Sequence, residues 1–270
     1  MAFTFVLCLV CALGVSATAV GLKDRQDANK LRFKQKNVLM AAGVITSKGT
    51  IAADSNKKIT PEQTTEIFTQ IRQVIIDRKT GALLEGDANT IDMAKLAKSP
   101  KTSEEIPEEF RRTMVKRISN KVLAYEVDIK GLRKLKGLHA DHESADNIRC
   151  LVLPIRGNGL WGEMLGFIAL SPNGKEVLGI TYYQHKETPG LGGEVDNPSW
   201  KGQWPGKVAL DETGKPVICV VKAGAVKNEA YEVDGISGAT ITSKNVSNMI
   251  QLWLSDAGFG PYLQTKSGVQ

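Results

Sequence analysis

One short stretch concentrates hydroxyls, glycines and a carboxylate directly before a predicted helix. It is Asp-Gly-Ile-Ser-Gly-Ala-Thr at positions 234–240, followed by Ile-Thr-Ser. Apolar residues within 244–254 recur every three or four positions, as on one face of an amphipathic helix. Because the first N–H groups of a helix lack internal partners and its dipole favours negative charge, a phosphate could bind at this start. The alternative is an ordinary capped turn, since Ser237, Thr240 and Thr242 are all good N-cap residues.

A second segment of unusual backbone freedom follows the strand-like run 177–183. Its sequence is Glu-Thr-Pro-Gly-Leu-Gly-Gly at positions 187–193. This density of glycine and proline predicts a tight, irregular loop, and glycine lets the backbone approach a flat ligand closely. Taken by its composition alone, the segment indicates only a turn.

Together the two segments resemble the paired signatures of a family of FMN-binding domains, in which FMN is esterified through its phosphate to the final threonine of the first motif. The resemblance implies an ester on Thr240, with Thr242 as the competing hydroxyl, whose better role is that of a helix cap. Segment 157–162, followed by 165–170, resembles the strand pair that opens this domain. Lys222 could lie near the flavin or be an ordinary exposed lysine. The other implied cofactor contacts are Asp234, Gly235, Ser237, Gly238 and Ala239 in the attachment turn, and Glu187, Thr188, Pro189, Gly190, Leu191, Gly192, Leu160 and Trp161 beside the isoalloxazine ring.

The N-terminal part of the chain narrows the family. Residues 19–44 resemble the membrane exit and first helix of the C subunit of the sodium-translocating NADH:ubiquinone reductase, and the length of 270 residues agrees better with that protein than with the shorter G subunit of the Rnf complex. The resemblance implies an electron-relaying subunit with covalent FMN and no independent catalytic site. Its implied partners are the other membrane subunits and, during maturation, a flavin transferase. The alternatives are a stand-alone or Rnf-type extracytoplasmic FMN carrier, and a membrane-anchored binding module without a cofactor.

An uncharged segment at residues 3–22 is long enough to cross a bilayer as a helix. A cleaved signal peptide is the competing interpretation, because Ala17-Thr18-Ala19 has the small-x-small pattern of a cleavage site. The lack of Lys or Arg before the apolar run and the unbroken family resemblance favour a retained anchor in the bacterial inner membrane. Basic residues within 23–36 would place the body in the cytoplasm by the positive-inside rule, whereas the family implies the periplasm. We expect the periplasm, because large domains translocate largely regardless of charge.

Charge and ligand spacing argue against several other classes of protein. The net charge of +6 is modest and spread along the chain without a nucleic-acid module, so no nucleic-acid partner is expected. His139 and His142 lie in a charged loop with no cysteine nearby, and we expect no metal site. No Gly-x-Gly-x-x-Gly follows a strand, which argues against a nicotinamide site. Cys150 and Cys219 lie in strand-like runs and are expected to be buried, and a disulfide between them stays open.

The remaining pattern predicts an α+β protein, with one N-terminal transmembrane helix followed by a mixed or antiparallel-sheet FMN-binding domain with helical elaborations. We expect an anchor at 1–22, a membrane-proximal helical and hairpin region at 23–146, the FMN-binding domain at 147–256 and a C-terminal tail at 257–270. The predicted elements are helices at 27–42, 60–71 and 103–118, a hairpin at 73–84, a charged loop at 130–143, and strands at 148–154, 164–170, 177–183 and 217–221 before the final helix.

Overall fold

The chain alternates short strands and helices after one long N-terminal helix. The computed structural model describes residues 2–52, 54–128 and 148–267. The helices are α1 (Ala2–Ala41), α2 (Pro61–Thr69), α3 (Met93–Leu96), α4 (Pro198–Lys201), α5 (Thr240–Leu254) and α6 (Gly260–Ser267). The strands are β1 (Thr50–Ile51), β2 (Asp54–Lys58), β3 (Arg72–Asp77), β4 (Leu83–Leu84), β5 (Ser103–Glu105), β6 (Arg117–Ser119), β7 (Lys121–Asp128), β8 (Ile148–Asn158), β9 (Glu163–Leu170), β10 (Val177–Gln184), β11 (Cys219–Val220) and β12 (Glu232–Val233).

A six-stranded sheet in the order β10-β9-β8-β7-β3-β4 forms the centre of the protein, and every neighbouring pair in it is antiparallel. Helices cover both of its faces, so the predicted α+β class is confirmed. The sheet takes β3, β4 and β7 from the segment before residue 147 and the other three strands from the segment after it. The domain boundaries drawn from the sequence stay a prediction.

Alternation along the strands separates two hydrophobic layers, since successive side chains of a strand point to opposite faces. In β8, Leu151 and Leu153 belong to the cluster that contains the apolar face of α5. Cys150 and Val152 belong to the cluster that contains the last turns of α1 and the apolar side of α2. The sheet is therefore a middle layer, with α5 on one side and the end of α1 on the other.

Helix α1 joins two elements that the sequence predicts separately, the apolar segment 3–22 and a helix at 27–42. It is one continuous helix whose Phe3–Ala41 portion is long and apolar enough to cross a membrane, by length and composition. Its final turns are buried against the sheet through Val38 and Leu39. Gly43 then stops it, because its φ of +66° is a left-handed conformation that glycine adopts at little cost.

Several local predictions are confirmed. Thr60 forms the expected capping box of α2, accepting from the backbone N–H of Gln63 while the Gln63 side chain accepts from the Thr60 N–H. Strands β3 and β4 form the predicted hairpin.

The predicted strand at 217–221 is shorter than expected, because only Cys219 and Val220 pair, in parallel with β12. The charged segment 130–143, with His139 and His142, lies outside the described residues.

The prediction of a helix at 103–118 is wrong. Strands β5 and β6 pair antiparallel there, and a 3-10 helix at Glu108–Thr113 connects them. Pro107 lacks an N–H and disfavours a helical conformation in the residue before it. Met114 has a left-handed φ of 59° and ends the short helix. Ile106 and Ile118 are both buried in the sheet's core, a placement that the extended pairing makes possible.

The C-terminal helix α6 is tied to the middle of the sheet through a buried carboxylate. Glu126 of β7 accepts hydrogen bonds from the Tyr262 hydroxyl at 2.8 Å and from Lys266 Nζ at 2.8 Å, and Arg72 Nη1 lies 3.1 Å from its other oxygen. Burial by itself would raise the pKa of Glu126, but the hydrogen bonds from Lys266 and Tyr262 and the nearby positive charges hold it below its ordinary value. The segment predicted as a tail thus contributes a packed helix.

Candidate functional site

The two chemistry-bearing segments meet at the start of helix α5. This helix begins at Thr240, with Ala239 in the N-cap position, and within the described chain no side chain caps it. Its first N–H groups therefore point outward without a capping acceptor, and its first turn carries no acidic residue. The side chain of Thr240 is exposed at the same place. An uncapped helix start beside an accessible hydroxyl suits a phosphate.

Thr242 does not cap the helix, which corrects the role expected from the sequence. Its side chain is inside the first turn, only 1% of the residue is exposed, and its hydroxyl donates to Glu187 Oε2 at 2.5 Å. The next residue, Ser243, binds the preceding turn to the helix, because its hydroxyl accepts from the backbone N–H of Ile236 at 2.9 Å. The physical reason is register: with Ala239 at the cap, Thr242 faces inward toward the loop that carries Glu187.

The turn at 234–240, called the attachment turn after its predicted role, is held by hydrogen bonds between side chains and the backbone. Asp234 Oδ1 accepts from the N–H of Gly224 at 2.7 Å, and its carbonyl accepts from Trp200 Nε1 at 2.8 Å. A Cβ on Gly235 would overlap the Val221 carbonyl, so this position requires glycine. Gly238 has a φ of +73° and brings the chain into the helix. The turn therefore presents Ser237, which is exposed, and Thr240 in a fixed geometry.

Glu187 joins three segments of the site. The residue is only 5% exposed, and its carboxylate accepts from the backbone N–H of Trp161 at 2.9 Å and from the Thr242 hydroxyl. Within the described residues it has no cationic partner, so hydrogen bonds alone compensate its burial. We call this set the Glu187 junction: Glu187, Trp161 and Thr242.

Two glycines make room for the junction. A Cβ on Gly192 would overlap the Glu187 carboxylate and lie 2.7 Å from the Thr242 hydroxyl. A Cβ on Gly159 would overlap the other oxygen of the same carboxylate. The Asn245 side chain also donates to the carbonyl of Gly159 at 3.1 Å, which fixes the 159–162 loop to α5. Both loops therefore need glycine at these positions, because a side chain there would overlap the Glu187 carboxylate.

The loop at 187–193 folds back on itself as predicted. The Thr188 carbonyl accepts from the N–H groups of Leu191 at 3.1 Å and Gly193 at 2.9 Å, and Gly190 has a φ of +77°. Thr188, Pro189 and Gly190 line the outer side of this loop. His185 precedes them, accepting through Nδ1 from the Glu187 N–H at 3.2 Å while its Nε2 lies 2.9 Å from Asp196 Oδ2. These contacts give His185 a structural role in orienting the loop.

Four large apolar side chains are exposed around the junction: Leu160 at 48%, Trp161 at 65%, Leu191 at 45% and Ile241 at 55%. Leu191 lies against Gly238, since a Cβ on that glycine would be 3.0 Å from Leu191 Cδ2. Exposed apolar groups gathered at one place indicate a binding surface rather than scattered surface residues. A flat, largely apolar ring carrying a phosphate matches this surface and the helix start beside it, so the residues present fit FMN.

Lys222 is the last of the predicted site residues, and three further residues support the site. Lys222 lies at the surface, and its backbone packs against Gly235 in the attachment turn. Trp200, Asn245 and Ser243 support the site and are absent from the sequence prediction. Ser243 lies in the hydroxyl-bearing segment after the motif and could be found there, whereas Trp200 and Asn245 give no sequence signal. In the described ranges no group of three or more His, Cys, Asp and Glu residues could hold a metal ion.

Comparisons with known proteins agree with this geometry. A family model described as an FMN-binding domain matches residues 159–255, which include the Glu187 junction and the attachment turn. The chain is 41% identical over 258 residues to the C subunit of the Na(+)-translocating NADH-quinone reductase of Vibrio vulnificus, covering 95% of this chain and 90% of that protein. It is 37% identical to the corresponding protein of Yersinia pestis, covering 96% of this chain and 89% of that protein.

Two solved structures of C subunits have a similar fold. The crystal structure of Shewanella oneidensis NqrC has a TM-score of 0.70 and 25% identity, and the match covers 90% of this chain and 99% of that one. The C subunit of the Na(+)-translocating NADH-quinone reductase from Parabacteroides distasonis, at 21% identity, has a TM-score of 0.61, and the match covers 92% of this chain and 98% of that one. The second likeness supports the fold alone.

Proposed function

The chain belongs to the NqrC family, the C subunits of the Na(+)-translocating NADH-quinone reductase, and we propose that it carries one FMN esterified through its phosphate to Thr240. As a member of this family it is an FMN-binding electron-transfer subunit of an oxidoreductase complex, and the other subunits of that complex are its partners. We further propose that the flavin relays electrons between those subunits and that this chain binds neither NADH nor quinone itself.

One observation carries the proposal of the attachment site: Thr240 exposes its hydroxyl at the uncapped start of α5. Forming a phosphate ester requires a hydroxyl that a flavin transferase can reach. Thr242 does not meet that requirement, because its hydroxyl is buried and already donated to Glu187. The phosphate esterified at Thr240 would accept hydrogen bonds from the first N–H groups of the helix. Asp234, Gly235, Gly238 and Ala239 fix the turn that places it there.

The ring would lie over the apolar surface beside the helix start. In this proposal Leu160, Trp161 and Leu191 contact the isoalloxazine and exclude water, and the 187–192 backbone lies close to its plane. Lys222 would lie near the edge of the flavin. When bound, FMN supplies the redox chemistry through its ring, and the protein contributes binding, orientation and electrostatics. The ester is a tether that keeps the cofactor in place.

We expect an intact chain from a host that has the flavin transferase to carry one covalent FMN. The physical reason is that the motif supplies one accessible threonine hydroxyl at a helix start. The measurement is the mass of the intact, denatured protein, together with flavin fluorescence of the band in a denaturing gel. An unmodified mass from that host, with another covalent flavoprotein modified in the same cells, would contradict the proposal.

We also propose that α1 is retained as a single-pass anchor in the bacterial inner membrane and that the body of the protein lies in the periplasm. The apolar, exposed surface of the helix supports the anchor, and the proposed domain boundary at residue 22 marks where charged residues begin. Protease added to spheroplasts should therefore digest the chain. Protection of this chain, with a periplasmic control protein cleaved in the same sample, would place the body in the cytoplasm.

A further inference from the structure

A cavity of about 400 Å³ lies where α1 meets the body of the protein, away from the proposed flavin surface. Its walls come from α1, from the loop after α1, from the end of β2 and from the start of α2. Phe33, Ile45 and Ile59 give it apolar walls. A volume in this range is typical of small-ligand sites.

Four cations line this cavity: Arg32, Lys36, Lys48 and Lys58. None of them makes an ion pair with any residue whose side chain the structure describes. The carboxylate of Glu62 at the start of α2 is near enough to interact electrostatically with Arg32, but it forms no contact pair with it. We call these four residues the basic cavity cluster.

Six basic residues elsewhere in the body are paired, whereas these four are not paired with any described residue. The six are matched with carboxylates in ion pairs of 2.5–3.2 Å: Arg72, Arg78, Lys79, Arg117, Arg156 and Lys266. Gathering four like charges around one concavity is unfavourable without an anion, and a concave wall of one sign concentrates its field. Lys36 is held into the cavity rather than extended away, since its Nζ lies 3.8 Å from where a Cβ on Gly49 would be.

From these observations we propose that the basic cavity cluster binds a phosphate-bearing anion. Lysine and arginine supply several donors to phosphate oxygens, and the apolar walls accommodate carbon groups attached to that phosphate. Two sources share this chemistry, the headgroup of an anionic phospholipid and a free phosphate compound. The site is separate from the start of α5 and does not depend on the proposal that FMN is attached there.

With α1 as the membrane anchor proposed above, the position of the cavity makes a lipid headgroup accessible. Between Leu22 and Arg32 an α-helix rises about 15 Å. The headgroup layer extends roughly 5–8 Å beyond the hydrocarbon. Helix tilt shortens the height of Arg32 above the membrane, and helical side chains lean toward the N-terminus, which here is the membrane side. The Arg32 guanidinium can therefore reach down to a lipid phosphate.

The experiment measures the midpoint of thermal unfolding of the full chain in a neutral detergent. Three probes are titrated at constant ionic strength: dihexanoylphosphatidylglycerol, dihexanoylphosphatidylcholine and inorganic phosphate. The test variant is Lys36→Gln/Lys48→Gln. The matched control is Lys95→Gln/Lys101→Gln, which removes the same charge from lysines outside the cavity.

We expect the phosphatidylglycerol probe to raise the midpoint of the wild type and the control, and phosphatidylcholine to have little effect. In the test variant, binding should be roughly thirtyfold weaker, from about one kcal/mol for each lost cation. Lys58→Gln alone should show a smaller loss in the same direction, which keeps the test valid if the double variant folds poorly. If inorganic phosphate gives the same cavity-dependent rise, the natural ligand is a free phosphate compound rather than a lipid. Equal responses of test and control variants, equal responses to both lipids, or no response to either anion would overturn the proposal.

Discussion

Replacing Thr240 with valine should abolish covalent FMN and leave the fold intact. Valine keeps the shape of threonine but has no hydroxyl to esterify. The Thr240 side chain is exposed, and among the described residues its hydroxyl makes no hydrogen bond that valine would lose. The free energy of unfolding should therefore change by no more than about 0.5 kcal/mol. Intact mass and in-gel flavin fluorescence measure attachment, and denaturant unfolding of the apoprotein measures stability.

Ser237→Ala is the matched control for this experiment, because Ser237 is the other exposed hydroxyl of the attachment turn. It should keep the flavin. Attachment that persists in Thr240→Val, with the FMN mapped to a peptide in which Ser237 or Thr242 is modified, would show that the acceptor is misassigned. Loss of the flavin in both variants would point to a damaged turn rather than to a missing acceptor.

Replacing Glu187 with alanine should destabilise the protein by about 2–4 kcal/mol, since it leaves the Trp161 N–H and the Thr242 hydroxyl without their buried acceptor and opens a cavity. Most of the attached FMN should be lost as well. The reason is that the Glu187 junction connects the two loops of the apolar surface to the helix that carries Thr240. Urea unfolding of the apoprotein and the fraction of chains carrying FMN are the two measurements.

The variant Glu187→Gln tests whether the site needs the hydrogen bonds of this side chain or its negative charge. Its amide oxygen can accept from the Trp161 N–H, and its amide nitrogen can donate to a Thr242 hydroxyl that rotates to accept. The glutamine variant should therefore lose less than about 1.5 kcal/mol and keep most of its flavin. If glutamine is as damaging as alanine, the negative charge itself is required. If alanine has wild-type stability and flavin content, the junction does not organise the site.

The sequence predicts the parts of the site better than their assembly. The glycines, the threonine of the attachment motif and the helix after it follow from local chemistry, and the loop at 187–193 has the folded-back form that its composition indicates. The contact between Glu187 and Thr242 does not follow, because it depends on how β10 and α5 meet across the core. Without that contact, Thr242 looks like a cap, and the structure instead buries its hydroxyl.

The same distinction applies to the fold. The capping box at Thr60 and the hairpin of β3 and β4 depend on neighbouring residues, and local sequence predicts both. The sequence does not predict strand β7. Its residues 122–125 form an apolar run that is typical of a strand buried on both faces, but the run has no alternation of apolar and polar residues to mark it. The apolar spacing of segment 103–118 suggests a helix, but Pro107 lies inside it, a local signal that outweighs the spacing.

Helix α1 has a mechanical consequence if its apolar part is held in a membrane. The helix runs without a break from that part into the buried turn at Val38, so no flexible linker separates the anchor from the sheet. The anchor and the sheet then move as one rigid body. A tilt of about 10° over the roughly 20 Å of helix between Lys23 and Val38 would carry the body sideways by about 3–4 Å. Small rearrangements among neighbouring membrane helices would thereby reposition the proposed flavin surface directly.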